Sequence, residues 1–242
     1  MAIASAGCTP EGTGPIEEHV YPVEAFNEIN VSGGFYAIVE TGTEHSVTVR
    51  AHSNLMDHVH VKSRDGVLHL EIDKNFGGGT LEATIVLPKL HAARIETSML
   101  EGHDLSVADD LRLEAKDTGY CELSFSADEE LSDLRIAARD ESEMRLSGLH
   151  TIDAHLTLND SYVHLSGSSQ SFQANISDLG TLTGLFESRD VEFVVKKDSA
   201  AEFFVSEHAE GVVQERGRVS VVGKASLDVD VSTDSDFMHD QN

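Results

Sequence analysis

The chain of 242 residues has no tryptophan, four tyrosines and ten phenylalanines. So sparse an aromatic set speaks against sugar-stacking platforms and against the stacking of nucleic-acid bases. Lys and Arg number 17 against 43 Asp and Glu, a formal charge of −26. That imbalance repels nucleic acid and polyanionic substrates, so no nucleic-acid partner is expected. The simplest reading of the charge is a solvated surface. No apolar run approaches the roughly 18 residues of a membrane helix, so no transmembrane segment is expected. Helix signals are few. The stretch 53–59 offers a turn or two, with Ser53 or Asn54 as cap.

There are two cysteines, Cys8 and Cys121, and no Cys-x-x-Cys pair. No Ser-His-Asp order stands out. Gly77-Gly78-Gly79 precedes a strand rather than a helix, which is the wrong context for a phosphate loop. Cys121 lies in an alternating run, and its counterparts in neighbouring repeats are Met144, Val163 and Leu182. It reads as a small buried hydrophobe. Cys8 follows Ala-Ser-Ala-Gly, a small-residue setting like that of a lipidated bacterial cysteine. The charged and apolar segments that normally precede such a site are missing, and Ser5 stands where such sites favour Leu. Lipidation of Cys8 is therefore an expectation that depends on an export segment encoded upstream of Met1.

What the chain does have is a repeat of about twenty residues in its second half. LRLEAKD (111–117), LRIAARD (134–140), AHLTLND (154–160), FQANISD (172–178) and VEFVVKKD (191–198) each alternate apolar and polar residues and end on Asp. The Asp residues are Asp117, Asp140, Asp160, Asp178 and Asp198. After each comes a short polar or small stretch, then a second alternating run. Such a period means stacked units, and alternation at period two means strands. One alternating rung cannot bury its apolar face alone, but parallel stacking at about 4.8 Å buries it against the next. Leu113, Ile136, Leu156 and Ile176 are expected to form one such column. Each Asp is expected to sharpen a corner as an Asx-turn, with Gly119, Ser142, Gly180 and Ser199 fitting the tight bend. The expected fold is all-β, a parallel β-helix-like solenoid, right-handed by the crossover rule. A β-sandwich is the alternative.

Residues 1–24, rich in Gly, Pro and polar residues, read as a flexible tether. The solenoid domain spans 25–232, with the stacked array beginning at 93–107, and 233–242 reads as a frayed tail. Asp65-Gly66 between two alternating runs predicts a hairpin. Gly33-Gly34 predicts a bulge or corner, and Pro88 stops a strand.

The order of elements from Phe26 onward adds a more specific signal. It begins with Phe-x-x-Ile-x-Val-Ser-Gly (FNEINVSG), a Gly-ended strand and Ser-Val-Thr-Val. An Asp-Gly-x-Leu turn and a strand ending at Leu-Pro follow, and the closing run is VSVVGKASLDVDVS. Over about residues 26–232 this resembles the putative auto-transporter adhesin, head GIN domain family. The resemblance implies an exported bacterial protein, periplasmic or at the cell surface and often lipid-anchored, with stacked β-helix-like architecture. It brings no catalytic set. The later corners carry Asp where the family often reads Ser-Gly, which makes the acidic ladder particular to this chain.

Three sites merit weighing. Asp117, Asp140, Asp160 and Asp178 could together hold Ca²⁺, although the calcium nonapeptide Gly-Gly-x-Gly-x-Asp is missing and turn formation explains them as well. A carboxylate pair such as Asp140 and Asp160 could serve a polysaccharide-cleaving enzyme as acid and base, against which stand the scarce aromatics and basic residues. His58 and His60 share a strand face, but two ligands make no metal site. The reading that follows is a non-enzymatic, exported β-solenoid at the cell envelope. It acts as an adhesin or binding module toward a cell-surface polymer or an envelope protein, without a cofactor unless Ca²⁺ is one. A polysaccharide-acting enzyme and a purely structural envelope protein are the alternatives.

Overall fold

Alternation at period two becomes strand along almost the whole chain in the computed structural model, which describes residues 11–126 and 129–241. Cys8 and the first ten residues of the expected tether lie outside the described residues. The first elements are β1 (Ile16–Tyr21), β2 (Glu28–Ser32), β3 (Tyr36–Thr41), β4 (Ser46–His52), α1 (Ser53–Met56), β5 (Val59–Arg64), β6 (Val67–Ile72), β7 (Leu81–Leu87), β8 (Leu90–Glu96) and β9 (Met99–Leu105). The repeats supply β10 (Val107–Lys116), β11 (Tyr120–Phe125), β12 (Leu131–Arg139), β13 (Glu143–Asn159), β14 (Tyr162–Ser177), β15 (Thr181–Thr183), β16 (Phe186–Val195) and β17 (Ala200–Val213). β18 (Arg218–Val222), β19 (Ser226–Val231) and β20 (Asp236–Asp240) close the chain.

These strands stack as parallel rungs into a solenoid of about 8 turns. One face runs β5–β6–β2–β8–β10–β12–β13–β14–β16–β17–β19. The other runs β1–β4–β7–β3–β9–β11–β13–β14–β15–β17–β18–β20. β13, β14 and β17 bend from one face into the other. At the bend in β14, Gly167 has φ +141°, and a Cβ there would stand 1.8 Å from the Leu149 carbonyl oxygen, so only glycine fits.

Inward residues form one continuous core from Phe26 to Ala225. Cys121, Met144, Val163 and Leu182 stack in register, as the repeat predicts, and burial pushes the Cys121 thiol's pKa up. The column through Leu113, Ile136 and Leu156 continues to Ala174 rather than to Ile176, which sits instead on Leu158. Ile176 is two residues further along its strand, on the same face, so alternation alone does not distinguish the two. Late rungs fill the core with rings: Phe193 stacks on Phe203 at 4.9 Å, and Phe172 meets Phe186 edge-on at 5.3 Å.

The array starts earlier than 93–107, since β2 and β3 already lie parallel to β8 and β9. The N-terminal end is closed by antiparallel strands. β4 lies between β1 and β7, and β5 and β6 form the hairpin predicted at Asp65-Gly66, where φ is 52° and 82°. β7 stops at Leu87, before Pro88. α1 follows His52, which makes no side-chain cap bond; Ser53 and Asn54 lie inside the turn instead. β1 falls within the stretch expected to be a tether, and β20 within the expected frayed tail. Both are edge strands, where polar residues are tolerated and blur the alternation. In β1, Glu17, His19 and Tyr21 occupy the register of the inward-facing Ala51, Val49 and Val47.

Candidate functional site

The Asp of each repeat sits at a corner for a backbone reason. Asp117, Asp140, Asp160 and Asp178 have φ of 51°, 59°, 46° and 55°, in the left-handed region that Asp tolerates better than most residues. At several corners the next residue is left-handed too: Thr118 at 63°, Glu141 at 61° and Leu179 at 68°. Two successive positive φ values define the mirror-image type I turn. Gly119 N–H closes one such turn on Lys116 O at 2.9 Å, and Gly180 N–H closes another on Ser177 O at 3.2 Å. The corners are also bonded rung to rung: Thr118 N–H to Asp140 O at 2.9 Å, Glu141 N–H to Asp160 O at 2.6 Å, and Leu179 N–H to Lys197 O at 3.1 Å. These turns close through the backbone, in place of the expected Asx-turns.

Three of the four carboxylates, those of Asp117, Asp140 and Asp178, meet cations or amides. Lys116 Nζ stands 3.3 Å from Asp117, and Arg139 Nε stands 3.8 Å from Asp140. Asp178 takes bonds from Lys197 Nζ at 3.0 Å and Asn159 Nδ2 at 2.8 Å. The Lys197 bond is the first cause holding its carboxyl below the usual range. Asp198, one repeat on, is gripped by both arms of Arg216 at 2.6 and 2.5 Å. Among the described residues no group of three or more His, Cys, Asp or Glu side chains comes together as a metal cage. Asp140 and Asp160 occupy the same corner on successive rungs.

His58 and His60 do act together, through a residue the sequence reading left out. Asp73 accepts from His58 Nδ1 at 2.8 Å and His60 Nε2 at 3.0 Å. Those bonds, His60's first, hold the Asp73 carboxyl below its usual range. The β5–β6 register pairs Val59 with Ile72 and so sets Asp73 opposite His58. The arrangement pins the mouth of the hairpin.

The feature that composition concealed lies on the outer surface of the second face. Register aligns Tyr36, Met99, Tyr120, Glu143, Tyr162 and Thr181 in one outward column. Three of the chain's four tyrosines are therefore in line. Each hydroxyl is bound: Tyr36 to Glu101 at 2.5 Å, Tyr120 to Glu122 at 2.5 Å, and Tyr162 to Thr183 at 2.7 Å. Arg145, itself 2.7 Å from Glu143, lies 6.0 Å from the centre of the Tyr162 ring. Burial, then the Glu122 bond, pushes the Tyr120 phenol up to about 12. Shallow grooves follow the column between the rings and the corner turns. One of about 310 Å³ runs past Tyr36, Met99 and Tyr120, and one of about 260 Å³ past Glu143, Tyr162 and Thr181. Another of about 550 Å³ extends the same face toward Arg218 and Phe237. A groove of about 600 Å³ at the bends between the two faces includes Arg189 and Lys224, but Arg189 is engaged by Asp190 at 2.9 Å.

Stacked parallel rungs with a filled core and one long lined face define a β-solenoid. The chain belongs to the family described as putative auto-transporter adhesin, head GIN domain, whose model matches residues 25–225. The fold is similar to that of a putative adhesin from Parabacteroides merdae, with TM-score 0.84 and 13% identity over 96% of this chain and 99% of that one. A putative adhesin from Parabacteroides distasonis gives 0.80 and 15%, covering 96% and 99%. A protein of that species described as a putative lipid binding protein gives 0.79 and 10%, covering 95% and 98%. Comparison with curated proteins finds no match.

Proposed function

We propose that this chain is a non-enzymatic binding module of the bacterial cell envelope, exported to the periplasm or cell surface, that engages an extended cell-surface polymer along the second solenoid face. The observation that carries this reading is the tyrosine column with its in-line grooves, because a straight lined face suits a linear ligand better than a compact one. Membership of an adhesin-described family supports it, as does the charge of −26, which steers polyanions away. A lipid anchor on Cys8 would hold the module at the membrane. Saturable retention on isolated cell envelopes, with no polymer fragments released, is the expected result. Release of fragments that is abolished by Asp140→Asn with Asp160→Asn would favour the enzyme instead. A structural role has one observation of its own: β19 and β20 are each paired on one side, with Leu227 and Val231 partly uncovered.

A further inference from the structure

We propose that the Tyr36–Tyr120–Tyr162 column binds an uncharged, extended glycan of 1→4-linked pyranose rings, laid along the solenoid axis. This rests on the binding-module reading and names its ligand. The first support is spacing. β3 and β11 are separated by β9 alone, and β11 and β14 by β13 alone, so successive tyrosines are two rungs apart. Two rungs measure about 10 Å, the length of one disaccharide unit in an extended 1→4-linked chain. Each ring would then meet every second sugar.

The second support is ring orientation. Tyr120 bonds Glu122, two residues along its own strand, so its ring lies down on the sheet instead of standing off it. Glu101 is in register with Ile38, and Thr183 with His164, so Tyr36 and Tyr162 also reach two positions along the strand. All three rings lean the same way. A tied phenol is a pre-set platform that loses little freedom on binding. The third support is polarity. Glu101, Glu122, Glu143 and Arg145 flank the rings and offer hydrogen bonds to sugar hydroxyls, while the acidic excess among them disfavours uronic or sulfated chains.

With no tryptophan in the chain, the emission comes from four tyrosines, three of them in this column, and Tyr21→Phe leaves the column as its source. The test titrates the protein with cellohexaose, chitohexaose, their disaccharides and a hexagalacturonate, alongside retention on isolated cell envelopes. A neutral hexasaccharide should change the emission saturably and bind at least tenfold more tightly than its disaccharide. Hexagalacturonate should not bind. Tyr120→Ala, or Tyr120→Leu if the alanine variant melts early, should weaken binding at least tenfold with the melting temperature of the leucine variant preserved. Hexasaccharides that fail to bind, or that bind the Tyr120 variants unchanged, overturn the glycan assignment. Envelope retention alongside that failure would leave the binding-module reading standing, and loss of both would overturn the two together.

Discussion

One substitution, Ser→Ala, should act with opposite sign at two corners of the same column. Ser142 is buried and its hydroxyl donates to Ala115 O at 3.1 Å, accepts from Arg139 N–H at 3.0 Å and lies 3.2 Å from Ser161 Oγ. Ser199 is equally buried, but its Oγ has no hydrogen-bond partner. Ser142 has Ser161 as its neighbour in the column, whereas Ser199 stands between Gly180 and Gly217, which carry no hydroxyl. The rung-below carbonyl at the equivalent place, Ile176 O, is already bonded to Lys196 N–H at 3.0 Å. Ser142→Ala leaves buried groups unsatisfied, at a cost of about 1–3 kcal/mol. Ser199→Ala removes a desolvated hydroxyl that earns no bond, and should stabilise by about 1 kcal/mol. For a chain of this length each kcal/mol moves the melting temperature by about 2–4 °C. Parallel thermal and urea unfolding of the two variants is the assay. Equal destabilisation by both would show that Ser199 is bonded after all, and would refute the reasoning.

Thr118 is a β-branched, exposed residue at φ 63°, so Thr118→Gly should relieve about 1–2 kcal/mol of left-handed strain against about 0.5–1 kcal/mol of added unfolded-state freedom. A higher urea midpoint is expected, with Thr118→Val unchanged as control. The Tyr120 phenol is raised in the folded state from 10.0 to about 12, so its contribution is full below the unfolded value and is lost as pH rises through the folded one. Between about pH 10 and 12 wild-type stability should fall more steeply than that of Tyr120→Phe, as read from unfolding midpoints. Millimolar Ca²⁺ after EDTA should leave the melting temperature where matched ionic strength leaves it. A specific rise would make the corner carboxylates a metal site by mass action.

The solenoid was legible because its cause is local. Apolar alternation recurs at a fixed offset, and the corner Asp marks each turn, so Cys121, Met144, Val163 and Leu182 could be stacked by alignment alone. The early rungs were not, because β2 and β3 pair with strands some sixty residues later, across an antiparallel insertion that breaks the period. The Asp residues fall at corners, and Lys116 and Arg139, which meet Asp117 and Asp140, directly precede them in the chain, whereas the left-handed backbone and the Lys197 that meets Asp178 from the next rung carry no local signal. The tyrosine column was hidden by composition, since few aromatics suggests no platform unless register brings them together. A trace did exist: Tyr120 and Tyr162 each directly precede a member of the Cys121 column. Tyr36, far away in the chain, joins them only through β9.

Hydroxyl-radical footprinting of the tyrosines, with and without a neutral 1→4-linked hexasaccharide, tests the binding face most directly. Tyr36, Tyr120 and Tyr162 should become protected together, while Tyr21, on the N-terminal edge strand, should label equally in both states. Unchanged labelling of the three, or protection confined to Tyr21, would contradict a ligand lying along this face.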